Sequence, residues 1–392
     1  MSNGAGKLDA SVSNLERTGF VLTAASLGVV QLWLLLAQVL FTAAAVVWLV
    51  VALRERRRPD TPAFFVPLLV YAALTLASSA FSLNPRASII DSRQLLLFLM
   101  VPVVARFARG SRAMSVMDVI IALGAAGALV GVVQYLIFGY DHLQNRPVGL
   151  LSHYMTFSGV LMLVTCATAA RLLLYPKEWI WPAIAMPALL VALAATQARN
   201  AWVGSLIALT CLMALRNWRL ALAVPILAAL AMAVAPADIR QRAFSTFDPN
   251  DPTNRDRVAM LNMGVAISRD HPVFGVGPEM IDDVYATYRP PTAVNPTNPH
   301  LHNVPIQILA ERGLPALLAW LWFVVIAARD LLKQVRYGPA KTVAGAGLAA
   351  ILAMLVAGLF EYNFGDSEFL MLFLGLITLP YAGARADDVR SR

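Results

Sequence analysis

Charge is scarce in this chain. Only 14% of its 392 residues are Asp, Glu, Lys or Arg, where a soluble domain carries roughly 25%. Cysteine is scarcer still: Cys166 and Cys211 are the only two, each inside an apolar run. No disulfide framework and no thiolate metal site can be built from them. There is no Walker-type glycine loop and no dinucleotide fingerprint, so chemical energy must arrive with an activated substrate. No basic patch interleaved with aromatics is present to grip a nucleic-acid strand, despite the net charge of +8. Internal repeats and low-complexity linkers are also missing.

What is there is apolar: 59% of the chain is hydrophobic. Uncharged or nearly uncharged runs cover 20–53, 61–85, 94–105, 119–140, 147–170, 179–198, 200–215, 220–237, 313–328, 342–360 and 369–384. A membrane-spanning helix needs ~20 such residues, because lipid cannot hydrogen-bond an exposed backbone. The first run accommodates two tight helices. The third is short, but Arg93 and Arg106 at its ends can snorkel to the interfaces. Segment 20–53 is too long for a signal-peptide core and is read as retained membrane helix. The pattern predicts an all-α integral membrane protein, residues 1–392 as one polytopic domain, with about twelve transmembrane helices.

Topology follows from the basic residues. With the N-terminus inside, the inner segments hold Lys7, Arg17, Arg54, Arg56, Arg57 and Arg58, then Arg106, Arg109 and Arg112, and Arg171 with Lys177. Arg216, Arg219, Arg329, Lys333, Arg336, Lys341, Arg385, Arg390 and Arg392 complete the set. All four lysines are among them. The short outer loops are almost free of positive charge. One long outer segment, 236–303, lies between the ninth and tenth predicted helices. Its FSTFDPNDPTN stretch predicts Asx turns at Asp248, Asn250, Asp251 and Asn254. A short helix is expected from Arg257 to Arg269, then a tight loop at Gly275 and Gly277. All five histidines fall on this outer side.

Four outer segments carry candidate chemistry. Arg199 is the only charge in 179–215 and sits at an outer turn, where it reads either as a snorkelling turn residue or as an anion clamp. Arg255 and Arg257 flank Asp256 at the start of the loop helix. They read as a solvated turn or as a second arm of that clamp. Arg146 is a third outer arginine beside an apolar helix. Arginine suits the clamp because its planar fork binds phosphate oxygens bidentately and stays charged. His300, His302 and Asn303 precede a membrane helix. In an extended segment both imidazoles face one way. They read as interfacial residues at a helix start, as metal ligands needing a third donor such as His271, or as a general base that Asn303 orients.

Several segments, in order, resemble the O-antigen ligase family of bacterial inner membranes. RPVGLLSHYMTFSG is similar to that family's outer loop before a helix. TQARNAWVG resembles its arginine segment, with Ala198 and Asn200 in place of the usual Ser and Gly. RVAMLNMGVAISRDHPVFGVGPEM resembles its HPlxGvGp segment, with Met or Leu where Trp is usual. HNVPIQILAERGLPA carries a His-Asn, nine residues, then Gly pattern at His302, Asn303 and Gly313, with Ala316 where Gly, Thr or Tyr is frequent. The resemblance covers most of the chain from about residue 60 onward.

That resemblance implies a GT-C-like fold and a glycosyltransferase with its active site facing the periplasm. The donor would be O-antigen on undecaprenyl diphosphate and the acceptor the lipid A-core oligosaccharide. Membrane lipids surround the chain, and no metal, cofactor or nucleic acid takes part. Arg199 and Arg257 would stabilise the departing diphosphate, and His302 would accept the acceptor's proton. Arg146, Arg255, His300 and Asn303 would contact substrate. O-antigen polymerases and protein O-oligosaccharyltransferases share this chemistry. A lipid or polysaccharide transporter is the rival of another class. It fits less well, because charge gathers at the outer face rather than at the midplane and no inverted repeat is visible.

Overall fold

The computed structural model describes residues 2–56 and 59–385, with side chains from residue 13 onward. Within these residues the chain is helical and no strand forms. Helices α1 (Ser2–Val29) and α2 (Leu34–Glu55) form a hairpin. Their break is lined by polar groups: Ser26 Oγ donates to the Ala37 carbonyl at 2.9 Å, and Gln31 Nε2 donates to the Ile120 carbonyl at 3.0 Å. Helix α3 (Phe65–Ala80) follows. Next comes an interrupted apolar segment of α4 (Pro85–Asp91), a 3-10 stretch (Ser92–Leu99) and α5 (Met100–Phe107).

The 94–105 run is therefore no single regular helix. It is the inner part of a longer broken segment, Pro85–Phe107. Arg93 is exposed and its Nε donates to the Ile90 carbonyl at 2.8 Å, while Arg106 is held by Glu16 and Glu55.

The rest of the bundle comprises α6 (Arg112–Leu136), α7 (Tyr154–Leu174), α8 (Ile180–Ala195) and α9 (Arg199–Arg216), then α10 (Trp218–Ala221) and α11 (Ala223–Val234). After the long loop come α15 (Val304–Tyr337), α16 (Lys341–Ala357) and α17 (Ser367–Gly383). Among the described residues, five segments are long and apolar enough to cross a membrane: α2, Pro85–Phe107, α6, α7 and α15. Shorter apolar helices stand among them, including α3, α8, α16 and α17. Helix α7 is the central post, buried over most of its length.

The helices run up and down. At one end α3, α6, α8 and α16 finish while α7, α9, α15 and α17 begin. The described basic residues assigned to the inner side (Arg54, Arg56, Arg106, Arg109, Arg112, Arg171, Arg216, Arg336, Lys341 and Arg385 among them) cluster at the other end. Arg57, Arg58, Arg390 and Arg392 lie outside the described residues, as does the Lys7 side chain.

Segment 236–303 packs on the first end as a cap of α12 (Ala237–Phe244), α13 (Pro252–Asp270) and α14 (Ile281–Tyr288). The cap has its own small core, in which Met260, Met263, Ile267, Met280, Ile281 and Tyr285 meet Leu301 and Ala310. Helix α13 begins earlier than Arg257 because Asp251 caps it, accepting from the backbone N–H of Thr253 and Asn254 at 3.0 and 3.2 Å. Of the four expected Asx turns, those at Asp248 and Asp251 form; Asn250 and Asn254 accept from no backbone N–H two residues on among the described residues. Asp248 accepts from the Asn250 N–H at 2.8 Å, and Asn254 Nδ2 donates to the carbonyls of Ser245, Thr246 and Asp248.

Candidate active site

A break in α15 attaches the cap to the bundle. Gly313 has φ +78°, and Pro315 sits inside the helix. Proline has no N–H, so the Glu311 carbonyl loses its helical donor. The Leu314 N–H, which would have bonded Ala310, bonds the Pro272 carbonyl at 2.9 Å instead. The glycine loop supplies replacements: the Val276 N–H donates to the Ala310 carbonyl at 3.0 Å, and the Gly277 N–H to Glu311 at 2.9 Å. Ser78 Oγ also donates to Glu311, at 2.9 Å. Every buried carbonyl needs a partner, and HPVFGVG provides them to AERGLP. A Cβ on Gly275 would meet the Glu311 backbone at 2.2 Å, so only glycine fits this crossing.

Beneath the cap lies a cavity of about 510 Å³. His153, His300 and His302 line it, with Tyr154, Asn200, Glu361 and Asp366. His302 is not extended; its φ is +49°, a left-handed value that a histidine holds only at some cost. The two imidazoles nonetheless share the cavity, edge to face with centroids 5.7 Å apart. Nδ1 of His302 lies 3.1 Å from both carboxylate oxygens of Glu361. The carboxylate therefore accepts a hydrogen bond from Nδ1–H, which keeps the proton on Nδ1 and leaves Nε2 as the basic nitrogen.

Burial alone pushes the His302 imidazole down. The charge and hydrogen bond of Glu361 outweigh it, and the net shift is upward from 6.5. For Glu361 burial pushes up, but His302 and Arg257 hold its carboxyl down at about 2. His300 is lowered, chiefly by burial.

Asn303 does not touch the His302 ring in this arrangement. Its Oδ1 accepts from the Ile306 N–H at 3.0 Å, capping α15, and its Nδ2 donates to the Leu359 carbonyl at 3.0 Å. The Val304 N–H reaches the Gly358 carbonyl at 2.7 Å. These bonds tie the start of α15 to the end of α16, and so place Glu361 against His302.

Four guanidinium groups gather beside this pair. Arg199, buried at the start of α9, donates to Ser245 Oγ at 3.0 Å, Asp251 Oδ1 at 3.2 Å and Asn254 Oδ1 at 2.9 Å. Its fork is thus occupied by the cap. Arg242, on α12, shares Asp251 at 3.5 Å. Burial first, then the charges of Arg199 and Arg146, bring Arg242 down to about 10. Arg146 stacks on Tyr154 at 4.2 Å and is lowered mainly by burial.

Arg257 makes no hydrogen bond or ion pair among the described residues and lies 6.0 Å from the Phe360 ring centroid. It is also lowered, by burial and by Arg199, though Glu361 opposes this. Asp251 and Glu361 offset part of the charge of these four cations. This leaves a positive field beside His302 that would welcome a polyanion.

Arg255 is not brought to the cavity. It is exposed on α13, and residues two apart on a helix point to nearly opposite sides. Its neighbour Asp256 is buried and accepts from the Val294 and Asn295 N–H groups and from Nδ2 of Asn295 and Asn298, at 2.8–3.2 Å. It pins the proline-rich tract that delivers the histidines. His271 ends α13 and is not in the cavity wall. Glu361 and Arg242 escaped the sequence reading. The signals were a lone acid just past an apolar helix and a basic helix immediately before the Asx turns.

An all-helical chain with apolar spanning helices, and a polar cavity under a cap at one end, is a multi-pass membrane protein. It is consistent with the O-antigen ligase family: residues 184–321 match the family model described as O-antigen ligase. The matched stretch holds Arg199, Arg242, Arg257 and His302, while Arg146 and Glu361 fall outside it. The family points to ligase- or polymerase-type function. No curated protein matches the chain.

Proposed function

We propose that this chain is an O-antigen ligase. It moves O-antigen from undecaprenyl diphosphate to lipid A-core oligosaccharide, with inversion and without a metal or other cofactor. The observation that carries the proposal is His302, held through Nδ1 by Glu361 in a roomy cavity, with Arg257 beside it and three further arginines around. The reading places the chain in the bacterial inner membrane as a GT-C-like bundle of about twelve spans. The cap, 236–303, is then a periplasmic loop of a single membrane domain. The clustering of basic residues at the far end supports that orientation.

In this mechanism the donor diphosphate lies among Arg257, Arg146, Arg242 and Arg199. The acceptor hydroxyl gives its proton to His302 Nε2 as its oxygen bonds the anomeric carbon. The bond from that carbon to the diphosphate oxygen breaks, and the lipid diphosphate leaves with the electron pair. One displacement inverts the centre. A preorganised donor aimed at the developing charge contributes roughly 3 kcal/mol.

The test uses purified chain in nanodiscs with lipid-diphosphate glycan and lipid A-core. Transfer should occur, survive chelator treatment and vanish in His302→Ala. Absence of transfer to any acceptor, or translocation of glycan without covalent product, would overturn the proposal. The lipopolysaccharide of a deletion strain separates the close alternatives. A bare core with lipid-linked polymer accumulating means ligase. A core bearing one repeat unit means polymerase.

A further inference from the structure

The cavity is acidic on one side, and arginines stand behind the other: His302, Glu361 and Tyr154 line that side, with Arg257 beside His302 and Glu361 and Arg146 against Tyr154. Around Arg257 the electrostatic neighbours are Glu361, Arg199, Tyr154 and Asp251. Around Arg312 they are Tyr362, Tyr71, Glu311 and Asp91. On this acidic side Asp91, Glu279 and Glu311 line the wall with one cation, Arg312. That cation is already engaged: Nη1 meets Glu311 at 2.5 Å, and Nη2 meets Asp91 at 3.7 Å. Negative charge is left in excess.

The same wall holds hydrogen-bonding capacity the protein does not use. Asn363 is 7% exposed, and neither atom of its amide has a partner among the described residues. Nε of Arg312, itself 5% exposed, has none either. Buried polar atoms are normally paired, so two such side chains facing one cavity mark a place where a ligand supplies donors and acceptors.

We propose that this acidic side is the acceptor subsite, and that it takes a sugar rich in hydroxyls and free of phosphate at the contacted ring. The inference rests on the glycosyl-transfer reading above. In-line displacement puts nucleophile and leaving group on opposite sides of the anomeric carbon. The arginines behind the His302 side attract diphosphate, so the acceptor enters from the acidic side of the cavity. Carboxylates and an amide accept from and donate to sugar hydroxyls. They repel phosphate, which keeps the donor from binding backwards.

The experiment is steady-state transfer by the full chain in nanodiscs. Undecaprenyl-diphosphate glycan serves as donor, and lipid A-core is the acceptor, intact or enzymatically dephosphorylated. Asn363→Ala and Glu279→Gln should each raise the acceptor KM about tenfold, a hydrogen bond's worth, and leave the donor KM unchanged. Wild type should prefer the dephosphorylated acceptor, and Glu279→Gln should narrow that preference. Glu279 is exposed just after the buried glycine loop, so its substitution spares the core. An unchanged acceptor KM, a shifted donor KM, or a phosphate preference indifferent to Glu279→Gln overturns the subsite while transfer itself stands. A wild type that transfers to nothing overturns the transferase reading and this inference together.

Discussion

Both carboxylate oxygens of Glu361 sit 3.1 Å from Nδ1 of His302. The two residues are held there from different helix ends, α15 on one side and the turn after α16 on the other. Neither is a strong signal alone; together they form a base with a fixed tautomer.

A pH profile follows from this pair. His302 must be neutral to accept a proton, and its folded pKa is raised above 6.5. Activity should therefore fall as pH drops through that raised value. Glu361, at about 2, stays ionised throughout. Glu361→Gln removes the charge that lifts the imidazole and leaves burial, which lowers it. The acid limb of kcat/KM should move to lower pH, with kcat down by up to roughly 10⁴-fold as the imidazole loses the carboxylate that fixes its tautomer and orientation. An acid limb that stays in place would remove Glu361 from the mechanism.

Arg199 and Arg257 should separate in their effects. Arg199 is buried and bonded to Asp251, Asn254 and Ser245. Removing one partner of a buried ion pair costs about 3–5 kcal/mol, so Arg199→Ala should lower the thermal unfolding temperature as well as transfer. Arg257 rests against an aromatic face, a contact worth about 0.5–1 kcal/mol. Arg257→Ala should cost transfer roughly 10²–10³-fold with little change in unfolding. Equal loss of stability in the two variants would contradict this division.

The crossing at Gly313 can be tested against a matched glycine. Gly139 and Gly313 have similar positive φ, +68° and +78°. A Cβ on Gly139 meets nothing within 4 Å, whereas one on Gly313 would stand 2.0 Å from the Val273 carbonyl oxygen. Gly139→Ala should cost only the left-handed penalty, about 1–2 kcal/mol. Gly313→Ala should cost more and expose the cap to protease. Matching unfolding temperatures and cleavage rates would show that the crossing tolerates a side chain.

The apolar runs made the helical membrane fold legible, because no other arrangement buries so much hydrocarbon with so few charges. Asp248 and Asp251 announced their turns, since a short carboxylate bonds the backbone two residues on, whereas Asn254 instead donates back to carbonyls before it. His302 and the arginines stood out as rare charged groups at helix ends. Glu361 did not, because its meaning depends on a partner 59 positions away. Arg255 looked like a companion to Arg257 in the linear sequence, but helical geometry turns it outward. The interrupted Pro85–Phe107 segment was hidden too, because composition records apolarity and not where a helix tightens.

The exchange of backbone hydrogen bonds between HPVFGVG and the broken α15 has a practical meaning for anyone dissecting this molecule. A peptide cut to 236–303 would carry the donors of Val276 and Gly277 but neither carbonyl that receives them, and it would leave behind Ala310, which completes its small core. Such a fragment has no reason to hold its shape in water, and the intact chain is the smallest unit worth purifying.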